Sequence, residues 1–362
     1  MTRQIFNFSS GPAMLPDEVL KRAQTELLSL PDVGLSVMEI SHRSPEFMKI
    51  LQDAKAGLRG LLKVPDDFDI LFLQGGPTLQ FSMLPMNFLP NGSIADYVVT
   101  GSWSQKAYIE ARNLGAVNLA FSTEQEGFIR VPAAEEINFS SNAAYVHYCS
   151  NETIDGVQFK GPLTVTGAPV FCDVSSDICS REIDFSAVDL LYAGAQKNLG
   201  PSGVTVVMVK RELIQNRCDG LPSMLDYKLI AENDSLLNTP NTWGIYIIGL
   251  MCKWMEEQGG IPEIEKRNRV KAEMMYEAID SSGGFYLGRA ETSARSSMNV
   301  TFNLRDGKLE SDFLSAASER GFVGLAGHRS VGGVRASIYN AFPLEGIKRL
   351  TGFMDEFKRQ HQ

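Results

Sequence analysis

A chain of 362 residues, 44% hydrophobic and 21% charged, is long enough for one large and one smaller globular unit, each with its own core. Its formal charge of −9, with no run of lysine and arginine, argues against nucleic acid or an anionic membrane as a partner. Five cysteines (149, 172, 179, 218 and 252) in no metal-like spacing, with no sustained apolar core in residues 1–7, predict reduced thiols in a cytoplasmic protein without a metal, and the apolar stretch 245–255 is too short to cross a bilayer.

Residues 17–29 read as an amphipathic helix, with Val19, Leu20, Ala23 and Leu27 on one face and acids in its first turn. Ser44-Pro45-Glu46 is a cap followed by proline at the first helical position, opening a helix through Leu51, Ala54, Leu58 and Leu61. A strand at 69–73 then leads through Gln74-Gly75-Gly76-Pro77-Thr78 into another helix. Strands at 95–100 and 143–149 flank a helix at 102–114, and three more strands are expected at 168–173, 190–194 and 204–209. An apolar helix at 242–258 meets Gly259-Gly260-Ile-Pro262, which is expected to break it before a charged helix at 263–279. Beyond that, strands at 297–304 and 334–339 alternate with helices at 309–320 and 343–360, a compact α+β unit. The alternation predicts an α/β fold, a parallel or mixed sheet covered on both faces, with a domain boundary near residue 265.

The densest chemical signal lies between residues 168 and 203. Asp173 ends one apolar run and Lys197 ends the next. A strand-end lysine standing alone extends its ammonium into water, and an aspartate there caps a turn. Here, however, Ala193, Gly194, Ala195 and Gly200 surround Lys197 with small residues that let a flat ring approach the backbone. An amine to form a Schiff base and a carboxylate to keep a pyridine nitrogen protonated are the two requirements of pyridoxal phosphate.

Other segments fit the same ligand. Gly75-Gly76-Pro77-Thr78 opens a helix after a strand, where backbone amides converge on an anion and Thr78 adds a hydroxyl; a glycine pair by itself would be a plain turn. Trp103, after Gly101-Ser102 at the next strand-to-helix junction, offers an indole face for stacking. Thr153 follows a further strand and reads either as a turn residue or as a hydroxyl for the ring or phosphate. Gly76, Trp103, Thr153, Asp173 and Lys197 all follow strands, the end at which open α/β sheets bind ligands. His42-Arg43, His328-Arg329 and Arg335 are basic exceptions in an acidic chain, and two of its four histidines directly precede arginines.

Phe6-Asn-Phe-Ser-Ser-Gly-Pro-Ala13, Glu39-Ile-Ser-His-Arg43, Asn151-Glu-Thr-Ile-Asp-Gly156 and Tyr192-Ala-Gly-Ala-Gln-Lys-Asn198 carry a resemblance that spans the chain. Asn238-Thr239-Pro240, Gly327-His-Arg329 and Gly333-Val-Arg-Ala-Ser-Ile-Tyr-Asn340 extend it to the C-terminal part. With these motifs the sequence resembles the phosphoserine aminotransferases, a class V family of fold-type I pyridoxal-phosphate enzymes. The resemblance implies a seven-stranded, mostly parallel sheet in a large domain (16–265) and a smaller α+β domain (266–362, joined by 1–15). It implies Lys197 as the Schiff-base lysine, Asp173 on the pyridine nitrogen, Trp103 on the ring face and Thr153 on the ring hydroxyl. Gly76, Pro77, Thr78 and Gln196 would hold the cofactor phosphate, with Asn238 and Thr239 reaching it from the second subunit of a homodimer.

By the same resemblance Arg335 takes the substrate α-carboxylate, while His328 and Arg329, with His42 and Arg43 of the neighbouring subunit, take the distal anion. The reaction implied is ping-pong transfer of an amino group between L-glutamate and 3-phosphohydroxypyruvate, giving O-phospho-L-serine and 2-oxoglutarate in serine biosynthesis, with a vitamin B6 pathway substrate left open. One departure stands at the phosphate cup, where some members carry Gly-Gly-Gly-Arg-Gly-Gln-Phe and this chain has Gly75-Gly-Pro-Thr-Leu-Gln-Phe81. The alternatives are a fold-type I aminotransferase with another acceptor, such as an alanine–glyoxylate enzyme, or a non-catalytic pyridoxal-phosphate-binding module. The paired His-Arg clusters argue against the first, since a small uncharged acceptor needs no oxyanion clamp, and the presence of both Lys197 and Arg335 argues against the second.

Overall fold

A computed structural model of the protein describes residues 5–362; residues 1–4, part of the stretch read above for a leader and of the expected 1–15 arm, lie outside the described residues. The chain opens with β1 (Phe6–Asn7), α1 (Asp17–Glu26) and α2 (Pro45–Leu62). Ser44 caps α2 by accepting a hydrogen bond from the Phe47 amide at 3.4 Å, and Phe47, Leu51, Ala54, Leu58, Leu61 and Leu62 form its buried stripe. Next come β2 (Phe68–Leu73), α3 (Gly76–Phe88), β3 (Ile94–Val99), α4 (Ser102–Arg112), β4 (Ala116–Ser122) and β5 (Ala143–Cys149). A small hairpin of β6 (Asn151–Glu152) and β7 (Val157–Gln158) precedes β8 (Val170–Asp173), β9 (Leu190–Gly194) and β10 (Thr205–Lys210). Helices α5 (Arg211–Gln215), α6 (Tyr227–Glu232), α7 (Thr242–Glu257) and α8 (Gly260–Asp280) lead to β11 (Tyr286–Gly288), β12 (Asn299–Leu304), α9 (Glu310–Glu319), β13 (Phe322–Val323), β14 (Val334–Ser337) and α10 (Leu344–His361).

Seven strands form the main sheet in the order β2-β10-β9-β8-β5-β3-β4. β10 runs antiparallel to both neighbours, and the pairs from β9 to β4 are all parallel. Side-chain alternation sends Ile70 and Phe72 of β2 into a core shared with α2 and α7, and Leu71 and Leu73 into a second core under α3. Covered on both faces, these strands read as continuous apolar runs, which is why the sequence exposes them. β4 escaped that reading because it is the edge strand: Leu119 is 41% exposed and asparagine interrupts its apolar residues.

Two helix ends differ from the expectation. α1 stops at Glu26 rather than continuing to 29. Gly259 adopts φ 98° and caps α8, so the Gly-Gly-Ile-Pro stretch starts that helix instead of delaying it. Pro262 lies in its first turn, where a missing N–H leaves no hydrogen bond unmade.

A second assembly consists of the antiparallel sheet β11-β12-β14 and the helices packed on it, with a core that includes Phe302, Phe313, Ile347, Leu350 and Phe353. The N-terminal segment joins this core. β1 pairs in parallel with β13, and the Phe8 ring lies 4.4 Å from that of Phe342. Helix α8 passes between the two assemblies, giving Ile261 and Ile264 to the sheet core and Ala272, Met275 and Ile279 to the C-terminal one. Among the described residues no helix is long and apolar enough to cross a membrane, and no His, Cys, Asp or Glu cluster is arranged to hold a metal.

Phe8 is fully buried although it sits near the chain's start. Phe8→Ala is therefore expected to destabilise the protein by about 3–5 kcal/mol, as for other large core truncations. A denaturant midpoint within error of wild type would show that the N-terminal arm is not part of the core.

Candidate active site

The parallel strands deliver their C-terminal ends to one edge of the sheet, and the candidate residues lie there in sheet order. Gly76 follows β2, Lys197 follows β9, Asp173 ends β8, Thr153 follows β5 through the β6–β7 hairpin, and Trp103 follows β3. Residues spread over more than 120 positions of sequence thus share one rim because neighbouring parallel strands end together.

At the centre, the Lys197 ammonium donates to the Thr153 hydroxyl at 2.5 Å and lies 5.8 Å from the centroid of the Trp103 ring. Burial pushes Lys197 below the usual lysine range, against the pull of Asp173 and the other anionic groups near it. Asp173 is 5% exposed, and its carboxylate accepts from the Ser175 amide at 2.8 Å. Burial raises it, partly offset by its hydrogen bond from Ser175 and by the Lys197 charge. Burial thus works against the charge of both the amine and the acid, while each supports the charge of the other.

The cup is built by close approach. A Cβ placed on Gly194, at the end of β9, would come within 2.5 Å of Gln196 Oε1 and 2.6 Å of Pro77 Cγ, so this position must be glycine for the α3 start and Gln196 to meet. Pro77 has no N–H and contributes only its ring to this wall, whereas Thr78 keeps a free amide direction at the N-terminus of the 13-residue α3. Asn238 is half-buried and Thr239 exposed; the Thr239 carbonyl accepts from Gln74, the residue before the cup, at 3.1 Å.

Arg335, in β14, reaches the same centre from the C-terminal assembly. It is 9% exposed, donates from Nη1 to the Thr153 carbonyl at 3.5 Å, and its Nε is buried without a partner. His328 and Arg329 sit in a tight loop in which His328 Nδ1 accepts from the Ser330 amide at 3.3 Å, leaving the proton of the neutral ring on Nε2. Burial lowers His328, and the positive charges of Lys106, Arg335 and Arg329 lower it further. Among the described residues no acid forms an ion pair with any of these cations. His42 and Arg43 are not brought into this group: they lie ahead of α2, with Arg43 Nε 3.3 Å from His42 Nε2.

Residues 5–350 match the family described as aminotransferase class-V. The phosphoserine aminotransferase of Geobacillus kaustophilus is 52% identical over 358 residues, covering 99% of each chain. Among solved structures, a phosphoserine aminotransferase from Bacillus circulans subsp. alkalophilus superposes with a TM-score of 0.97 at 48% identity, over 99% of each chain. A PLP-bound phosphoserine aminotransferase from Trichomonas vaginalis gives 0.92 at 37% identity, over 97% of this chain and 99% of that one. This chain belongs to the phosphoserine aminotransferase family.

The structure adds site residues of this family member that sequence reasoning passed over. Glu152 accepts from the Trp103 and Ser104 amides, both at 2.9 Å, and Asp155 from the Ser102 amide at 2.8 Å. The two acids thus cap the N-terminus of α4 and fix the backbone that carries Trp103. Burial and the neighbouring Asp155 push Glu152 up to about 7. Lys106 stands one turn beyond Trp103 and stacks 4.1 Å above its ring centroid. The Asn-Glu-Thr-Ile-Asp motif contained both acids, but only the fold shows that they face a helix 50 residues earlier.

Because burial lowers Lys197, its free amine is expected at lower pH than the usual lysine range. Competitive acetylation of cofactor-free protein across a pH series should give Lys197 a midpoint below that range. Asp173→Asn should move the midpoint down again, since it removes the anion that most favours the ammonium form. A midpoint that stays put or rises in that variant would show that the two groups do not interact.

Proposed function

We infer that this chain is a pyridoxal-phosphate-dependent transaminase that moves an amino group between L-glutamate and 3-phosphohydroxypyruvate, yielding O-phospho-L-serine and 2-oxoglutarate in serine biosynthesis. The observation that carries this reading is the convergence on Thr153: its hydroxyl takes the Lys197 amine and its carbonyl takes the Arg335 guanidinium. An amine-reactive centre and a fork for a carboxylate are therefore within one residue's reach, which is the minimum an α-amino acid requires.

The residues present fit the cofactor. Trp103 Nε1 and Arg335 Nε are buried without hydrogen-bond partners, and Asp173 is a buried carboxylate without an arginine or lysine bonded to it. When bound, pyridoxal phosphate supplies a carbonyl that joins the amine and a ring that takes up the electron pair freed at the α-carbon.

The chain's own groups do the rest. Lys197 would hold the cofactor through its amine, and its freed Nζ would take the α-proton; its lowered proton affinity leaves a larger fraction free near neutral pH. Asp173 would keep a proton on the ring nitrogen, while Thr153 orients Lys197 and would bond the ring hydroxyl. Trp103 would cover the ring and exclude water. Gly76, Thr78 and Gln196 hold the phosphate, with Pro77 as the wall behind it.

Arg335 binds the α-carboxylate as a bidentate fork, and His328 with Arg329 binds the distal phosphate or γ-carboxylate. His42, half-buried, and Arg43, exposed in the single chain, complete that clamp from the second subunit of a homodimer, as Asn238 and Thr239 complete the phosphate site. The same clamp suits another phosphorylated 2-oxo acid, such as one in vitamin B6 synthesis. We assign residues 16–265 to a large domain and 266–362 with 1–15 to a small one; the separate cores and the β1–β13 pairing support the division. A cytoplasmic location agrees with the cysteines, none of which is paired among the described residues.

Lys197→Ala should abolish turnover and leave the far-ultraviolet circular dichroism unchanged. Borohydride treatment of cofactor-loaded wild type, followed by peptide mapping, should fix the cofactor to Lys197, and a label on another lysine would overturn the assignment.

Arg335→Leu should weaken phosphoserine, glutamate and alanine alike, because all carry an α-carboxylate. Arg329→Leu should penalise phosphoserine and glutamate by about 2–5 kcal/mol in kcat/KM if the pair is desolvated in the complex, and spare alanine. An equal loss on all three substrates would remove Arg329 from the distal subsite.

A further inference from the structure

Asn198 and Asn340, which end two of the sequence motifs, take no part in the chemistry described above, yet both are buried, at 2% and 8% exposure. They bond to each other. The Asn340 amide donates to Asn198 Oδ1 at 3.0 Å. The Asn340 side chain then donates to the Cys179 carbonyl at 2.9 Å and accepts from Asn268 at 2.8 Å, while Asn198 donates to the Ser176 carbonyl at 3.3 Å. Every polar atom of the Asn340 side chain is thus used, and each partner lies on a different piece of the site's frame.

Asn198 directly follows Lys197, and Ser176 and Cys179 lie in the segment that follows Asp173. Asn340 lies three residues past the end of β14, the strand of Arg335. On its other side the same segment is held by Lys271 of α8, whose ammonium donates to the carbonyls of Ile338, Tyr339 and Phe342 at 2.9, 2.6 and 3.2 Å. Apolar residues of similar size would fill this space, but they would not fix the register between two separate cores, whereas a fully paired amide does.

We propose that Asn198 and Asn340 are positioning residues that set the separation of Lys197 from Arg335, and so hold the substrate's α-carbon where the lysine reaches its proton. The inference rests on the transaminase reading above. Neither asparagine touches substrate in this scheme. Loosening the pair removes no substrate contact but misaligns two groups that every amino-acid substrate uses at once, and misplacement by about 1 Å costs up to ~100-fold in rate.

The test compares Asn340→Asp, Asn198→Ala and the double variant Asn198→Ala/Asn340→Asp with wild type and with Ile347→Ala, a stability control in the C-terminal core. Single-turnover rates and KM are measured on cofactor-loaded enzyme with phosphoserine, glutamate and alanine, well below each melting temperature. The expected result is a fall of about tenfold or more in rate on all three substrates, KM within about threefold of wild type, and a double variant no worse than the poorer single one. Hydrogen exchange of residues 338–342 should accelerate in Asn198→Ala, which removes the acceptor of the Asn340 amide, while β12 stays protected.

Wild-type rates in the asparagine variants, a loss seen only in melting temperature as for Ile347→Ala, or a raised KM at unchanged rate would each overturn the proposal. So would unchanged exchange at 338–342, which decides the matter even with no substrate present. Failure of the wild type itself to turn over phosphoserine and 2-oxoglutarate would instead refute the functional reading, and the exchange result would still report on the pair.

Discussion

Holding Lys197 and Asp173 out of water together is the constraint on which the rest of the site depends. Each is driven toward its neutral form by burial, and each partly restores the other's charge. Asp173 ends β8 and Lys197 stands in the turn three residues past the end of the adjacent β9, the two strands being paired in register from Phe171–Leu190 to Asp173–Tyr192. The sheet's two covered faces supply the rigidity, and the small residues at the end of β9 supply the room.

The site is also the seam between two cores. The main sheet contributes the amine, the acid, the indole and the cup, whereas the C-terminal assembly contributes Arg335 and the His328 loop. The seam between them is polar and buried: Asn151 bonds to Asn299, Asn299 to Ser337 and Tyr339, and Tyr339 to the Ser10 carbonyl of the N-terminal arm. Such a chain of paired groups fixes orientation more than it adds stability, because an unpaired member is costly while a satisfied one is close to neutral. Helix α8 contributes to both cores, so their packing and their relative placement are coupled through one rod.

Electrostatics within this seam run against the protein as a whole. A chain of net charge −9 gathers Lys106, His328, Arg329 and Arg335 around one space, and none of them forms an ion pair among the described residues. Elsewhere arginines are paired with acids, as Arg130 is with Glu126 and Glu136, and Arg217 with Asp226. Cations without a directly paired acid, beside a buried amine, are suited to a substrate that brings its own negative charges.

The sequence by itself determined the α/β alternation, the strand ends at Asp173 and Lys197, the glycine-rich cup and the basic pairs, because each is local: an apolar run, a breaker, a residue type at a fixed offset. Periodicity failed at β4, whose edge position leaves it half solvated, and at the start of α8, where glycine and proline open a helix that they were expected to interrupt. Tertiary structure alone decided that Glu152 and Asp155 cap the helix of Trp103, and that Asn340 bonds to the neighbour of Lys197. Those contacts join residues tens to more than a hundred positions apart, and no local propensity encodes them. They exist because parallel strands end at a common edge and a second core closes over it.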